Sequence, residues 1–175
     1  GEYTAQPANP AATTVGGGAG TGLTLNLTFE QQEVRLPPGR ATDIVADPDD
    51  SSQIYVGLAG DDGGVFLSTD GGESFAHLAG LREHPSRPQW QAGAGGLILH
   101  SMVLDPDDRA RMWVAISAAG VFHSADGGST WEPRNTGTRC DFLPDDQRYP
   151  EFGQCVHKVA RDAAASDVRQ RAYVG

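Results

Sequence analysis

The sequence predicts an all-β chain assembled from repeated four-stranded antiparallel units, and three observations lead there. The octet S-T-D-G-G-E-S-F at Ser68 to Phe75 recurs as S-A-D-G-G-S-T-W at Ser124 to Trp131. The run D-I-V-A-D-P-D-D from Asp43 aligns with S-M-V-L-D-P-D-D from Ser101, an offset of 58 residues, and I-Y-V-G-L from Ile54 aligns with M-W-V-A-I from Met112 at the same offset. The octets are 56 residues apart, so one connection has lost two residues. Finally, each unit divides into four short apolar runs separated by Gly, Asp and Pro turn signals, which is how stacked blade-like repeats read in a sequence.

Taken in order, residues 1–22 are rich in Pro, Gly, Ala and Thr without an apolar period and read as a flexible tether. Residues 23–41 alternate from Leu23 to Phe29 and again at Glu33 to Leu36, as outer strands of a degenerate unit would. The first full unit spans 42–81, with strands expected at Asp43 to Ala46, Ile54 to Leu58, Val65 to Ser68 and Ser74 to Leu78. A long connection, 82–96, leads to the second unit, 97–137, with strands expected at Ser101 to Leu104, Met112 to Ile116, Val121 to Ser124 and Thr130 to Pro133. A second long connection, 138–156, precedes a third unit that starts at 157–175. Trp113, Phe122, Trp131, Tyr55, Phe66 and Phe75 are the expected main contributors to the core.

Within each octet the chemistry suits a tight turn. Ser68 and Asp70, or Ser124 and Asp126, offer oxygens to backbone N–H groups that a turn leaves unpaired, while Gly72 and Gly128 permit positive φ. Phe75 and Trp131 then open the last strand of each unit. These octets resemble Asp-box, or BNR, repeats, found in sialidases, xyloglucanase-type glycoside hydrolases, sortilin-type receptors and a photosystem assembly factor. The resemblance implies a β-propeller, here a partial one, and places the box on the turn between the third and fourth strands of a blade, away from the substrate face. Ser68, Asp70, Gly72, Phe75, Ser124, Asp126, Gly128 and Trp131 are therefore read as structural. The chain is expected to be a segment of a longer propeller whose remaining blades are its first partners.

Propeller geometry puts the first and third turns of every unit on one face and the second turns and inter-unit connections on the other. The second face collects everything irregular, the usual place for binding on a repetitive scaffold. The first long connection supplies Arg82, His84, Arg87 and Trp90; the second supplies Arg139, Asp141, Asp145, Asp146, Arg148, Tyr149 and Glu151. Guanidinium forks beside aromatic rings are groups that grip sugars or acidic peptides. His100 and His157 lie five residues before Asp105 and Asp162, at the entrance of an innermost strand, where the first unit has Thr42. Paired imidazoles there suit anion binding, proton donation or metal binding, or a bond to neighbouring backbone.

The stretch R-E-H-P-S-R-P-Q-W from Arg82, with F-G-Q-C-V-H-K from Phe152, further resembles a bacterial BNR-repeat subgroup labelled glycosyl hydrolase or exo-sialidase by similarity. A sialidase is expected to carry an arginine triad, a Tyr and Glu nucleophile pair and an acidic proton donor; the catalytic candidates here are Asp145, Asp146, Tyr149 and Glu151. Two functions follow: a glycan- or peptide-binding module, or part of a sialidase-like glycoside hydrolase sharing its catalytic residues with other blades.

The remaining composition excludes classes rather than choosing one. With 13 basic and 23 acidic residues the formal charge is −10, unsuited to a nucleic-acid backbone. No stretch approaches the roughly 20 apolar residues of a membrane helix. The compartment stays open between cytoplasmic and secreted, with any signal outside the sequence. Cys140 and Cys155 lack zinc-ligand spacing and either pair across one loop or remain two thiols. No metal and no cofactor is expected.

Overall fold

The computed structural model describes residues 11–14, 24–27, 36–60, 63–90, 92, 96–160 and 171–173. The chain divides into two compact units, Gly1–Glu33 and Val34–Gly175. In the first, β1 (Ala11–Thr14) and β2 (Thr24–Leu27) form an antiparallel pair in the register Ala11 to Leu27. The stretch read as a tether thus includes a strand. Residues 33–35 of the strand expected at Glu33 to Leu36 lie outside the described residues.

The second unit is built from two consecutive four-stranded antiparallel meanders. In chain order the first comprises β3 (Arg40–Ala46), β4 (Ile54–Ala59), β5 (Gly64–Ser68) and β6 (Ala76–Leu78). A single-turn helix, α1 (Ala79–Arg82), follows. The second comprises β7 (Leu99–Leu104), β8 (Met112–Ile116), β9 (Gly120–Ser124) and β10 (Glu132–Pro133). A third sheet begins with β11 (Lys158–Ala160) paired to β12 (Arg171–Tyr173). This is the architecture of a partial β-propeller, with β3, β7 and β11 as the innermost strands of successive blades.

The last strand of each blade is shorter than the sequence predicts, for a reason internal to the octets. Ser74 N–H and Thr130 N–H donate to Asp70 Oδ1 (2.9 Å) and Asp126 Oδ1 (2.8 Å), so those backbone groups belong to the turn and not to the ladder. The two turns match in the bonds of their first serine and their aspartate. Ser68 Oγ and Ser124 Oγ each accept the N–H of the second glycine at 2.8 Å, and their hydroxyls donate to the Asp carboxylate at 2.7 and 2.8 Å. Gly72 and Gly128 hold φ of 94° and 88°, a region an L side chain rarely adopts.

Side-chain alternation decides which neighbour each blade touches. From β8, Met112, Val114 and Ile116 pack toward the first blade with Tyr55, Val65, Leu81, Leu99, Phe122 and Trp131. Trp113 and Ala115, one residue out of phase, pack with Val121, Val156 and Val159 toward the third. All five β8 residues are therefore buried. The outer face of the first blade is different: Ile44 is 54% exposed where the equivalent Met102 is 6% exposed. Phe66 sits on this same face, in register with Val56, and is half-buried like Phe75. Both contribute less to the core than the sequence predicts.

Close approach between blades is set by absent side chains. A Cβ on Gly57 would lie 2.6 Å from Leu99 Cδ2, and one on Gly80 would lie 2.1 Å from Ser129 O. The second contact seats α1 directly on the second octet, so that turn also braces the neighbouring blade.

Two expectations follow. Phe122→Ala, at a fully buried ring, should lower stability by about 3–5 kcal/mol in urea unfolding; a loss below about 1 kcal/mol would contradict the packing described. The Asp70 and Asp126 carboxyls are held below the ordinary range, chiefly by the Ser74 and Thr130 side-chain hydrogen bonds. Because the folded values are depressed, their contribution is fully present above about pH 4 and drains as pH falls through the folded values. The melting temperature should fall on acidification below about pH 4, and the Asp70→Asn/Asp126→Asn variant should show a shallower fall; identical slopes would remove these groups as the cause.

Candidate functional site

The backbone separates two ends of the blades. Gly71 N–H donates to Ser52 O (2.9 Å) and Gly127 N–H to Ala110 O (2.8 Å), tying each octet to the first turn of its own blade. At the opposite end Gly60 N–H donates to Leu97 O (2.8 Å) and Ser117 N–H to Ile98 O (2.9 Å), tying the second turns to the approach to β7. Both long connections run to this second end.

A cleft opens there between the two complete blades. It is a small cavity of about 30 Å³ that opens to solvent, lined by Leu58, Gly60, Gly63, Gly64, Leu81, Arg82, Arg87, Trp90, Leu97, Leu99 and Ile116. Three of the candidates thus converge on one place. The Arg87 guanidinium carbon lies 5.2 Å from the Trp90 ring centroid, a cation–π distance. Arg87 opens a 3-10 turn, Arg87–Gln89, that brings Trp90 back against the blade. Trp90 Nε1 donates to Ser86 Oγ (2.9 Å), and Ser86 Oγ in turn meets His84 Nδ1 at 2.7 Å, which fixes the indole.

His84 takes a different place from the other three. Its ring lies 5.1 Å from Phe122 and 6.4 Å from both Trp90 and Phe152, inside the aromatic packing beneath the cleft. Burial is the largest influence on it and pushes its pKa below the ordinary value.

The expected pairing of His100 and His157 is present: their ring centroids are 4.2 Å apart. His100 is the extra residue of a β-bulge, where Leu99 pairs with Ile116 but Ser101 pairs with Ala115. The first blade bulges at the same repeat position, where the Thr42 hydroxyl is shared between the carbonyls of Gly57 (3.1 Å) and Leu99. A bulge re-aims one side chain without disturbing the ladder on either side. Burial, then the neighbouring His157 and Arg40, lower the His100 pKa and favour its neutral form.

The two arginines of the second long connection pair within their own loop. Arg139 pairs with Asp141 (2.7 Å) and Arg148 with Asp145, and Arg148 Nε is buried without a hydrogen bond. Asp145 and Asp146 stand on an exposed 3-10 turn, Asp145–Gln147. Tyr149 is 63% exposed, and exposed Glu151 accepts Asn135 Nδ2 on its backbone carbonyl at 2.8 Å.

Sequence reading missed two members of the His100 and His157 cluster, Ser117 and Cys155. Cys155 carried a signal, since it stands two residues before His157 and so on the same side of an extended segment; Ser117 carried none beyond its place in a turn. Cys140 and Cys155 are both free thiols. Among the described residues no group of three His, Cys, Asp or Glu side chains is disposed to hold a metal ion, and no helix is long and apolar enough to cross a membrane.

No family model and no curated protein matches this chain. Solved structures do match over part of it. The GH74 xyloglucanase from Xanthomonas campestris is 24% identical over 79% of this chain and 21% of its own length, at a TM-score of 0.42. YCF48 from Cyanidioschyzon merolae is 15% identical over 82% of this chain and 37% of its own, at 0.42. The GH74 enzyme from Niastella koreensis is 20% identical over 67% of this chain and 15% of its own, also at 0.42. This chain therefore spans well under half the length of each.

Proposed function

We propose that this chain is part of an Asp-box β-propeller that binds a glycan or an acidic peptide on its long-loop end, with the cleft between its two complete blades as the recognition site. The observation that carries the reading is the convergence of Arg82, Arg87 and Trp90 on one cleft. An indole braced from below offers an apolar platform for the C–H face of a sugar, and two guanidinium groups offer forked donors for carboxylate or hydroxyl oxygens. The glycines at 60, 63 and 64 expose backbone to the same space. The matching serine and aspartate bonds of the two octets support the Asp-box reading, and the adjacent rings of His100 and His157 are further binding candidates.

The second reading is a sialidase-like glycoside hydrolase whose catalytic groups come partly from other blades. Tyr149 and Glu151 favour it, both exposed and two residues apart on the second long connection. Asp145 and Asp146 are the further acids on that loop.

The complete propeller should bind at least one member of a panel of acidic oligosaccharides and acidic peptides in calorimetry. Arg82→Ala or Arg87→Ala should each weaken that affinity by about tenfold, a loss of about 1.4 kcal/mol, and the His100→Ala/His157→Ala variant should weaken it without unfolding the protein. Binding unaltered by both arginine variants would dismiss the cleft. Release of aryl alcohol from an aryl glycoside, abolished in Glu151→Gln, would instead select the hydrolase.

A further inference from the structure

The cluster at the inner strands carries chemistry that a binding cleft does not require. Cys155 Sγ lies 3.2 Å from His157 Nε2 and 3.7 Å from Ser117 Oγ. Ser117 Oγ is in hydrogen-bond contact with His100 Nε2, and the two imidazoles lie against each other. The four side chains come from three places: the β7 bulge, the turn between β8 and β9, and the approach to β11. Together they give a thiol, a ring nitrogen positioned to receive its proton, and a hydroxyl held against the sulfur by a second ring. Cys155 is half-buried and His157 exposed, so the sulfur is within reach of a small reagent. The other thiol provides the contrast: Cys140 is 1% exposed, and burial pushes its pKa up.

We infer that Cys155 is a base-assisted nucleophile and an S-modification site, taking a small soft electrophile of the disulfide class. As the thiol proton passes to His157 Nε2, Sγ forms an S–S bond with the nearer sulfur of the reagent. The S–S bond of the reagent breaks and its farther sulfur leaves as a thiolate. Cys155 is oxidised and the reagent reduced, so no other oxidant enters. The Ser117 hydroxyl, kept in place by His100, orients the sulfur. None of its four residues is among those lining the cleft; His100 and His157 are shared with the binding reading, and thiol modification is read out separately from ligand affinity.

The test uses dithiodipyridine, a small neutral disulfide, on the full chain, with thiopyridone release followed by absorbance and each cysteine assigned by peptide mass. Cys155 should react about tenfold or more faster than Cys140, as differently placed thiols do. His157→Gln should slow Cys155 by about tenfold, the low end of what a general base contributes, with the Cys140 rate unchanged as a check on folding. A comparison within the unmutated protein serves if that variant does not fold: native Cys155 should react faster than the same thiol in urea-unfolded chain at equal pH. Modification of the His157→Gln protein at the original rate, or native Cys155 no faster than unfolded, would overturn the assignment.

Discussion

Asp43 and Ser101 occupy the same position in successive repeats, and each ties its innermost strand to the next. Met102 N–H donates to Asp43 Oδ2 at 2.6 Å, and Val159 N–H donates to Ser101 Oγ at 3.0 Å. The rest of the second unit depends on this spacing. A four-stranded sheet with apolar residues on both faces has no stable state alone, because each face must be covered by a neighbour. The side-chain bonds between inner strands set the distance at which that covering happens. Met112, Val114, Phe122 and Trp131 then fill the gap on one side, and Trp113, Val121 and Val159 fill it on the other.

At the opposite end of the blades charged side chains hold the turns. Asp47, only 5% exposed, accepts the backbone N–H of Asp49 at 2.9 Å and receives Arg109 Nε of the next blade at 3.1 Å. Asp105, fully buried, caps its own turn through Asp107 N–H at 3.0 Å and pairs with Arg111. The many acidic residues of the repeats are thus largely turn builders. Arg82 and Arg87 of the first long connection line the cleft at the other end.

How much was legible follows from how local each feature is. The octet turns were readable because the bonds of their serine and aspartate side chains lie within five residues, Ser68 to Gly72 and Asp70 to Ser74. The closeness of His100 and His157 was readable because equal positions in adjacent repeats stand side by side on adjacent inner strands. The ring contacts of His84 were not readable: its sequence neighbours Arg82 and Arg87 reach the cleft, while its own ring packs against Phe122 and Trp90. The unequal burial of Ile44 and Met102, aligned in the repeat, is likewise a matter of which sheet face has a neighbour.

By itself the sequence determined the repeat, the four strands of each blade and the chemistry of their turns, since hydrogen bonds and side-chain alternation over a few residues fix these. Only the tertiary structure decided which loop residues share a space. The convergence of Arg82, Arg87 and Trp90 on Gly60 and Leu99, and of Ser117 and Cys155 on the two imidazoles, depends on the distance and twist between sheets. Those are set by packing among residues tens of positions apart, and no local pattern encodes them.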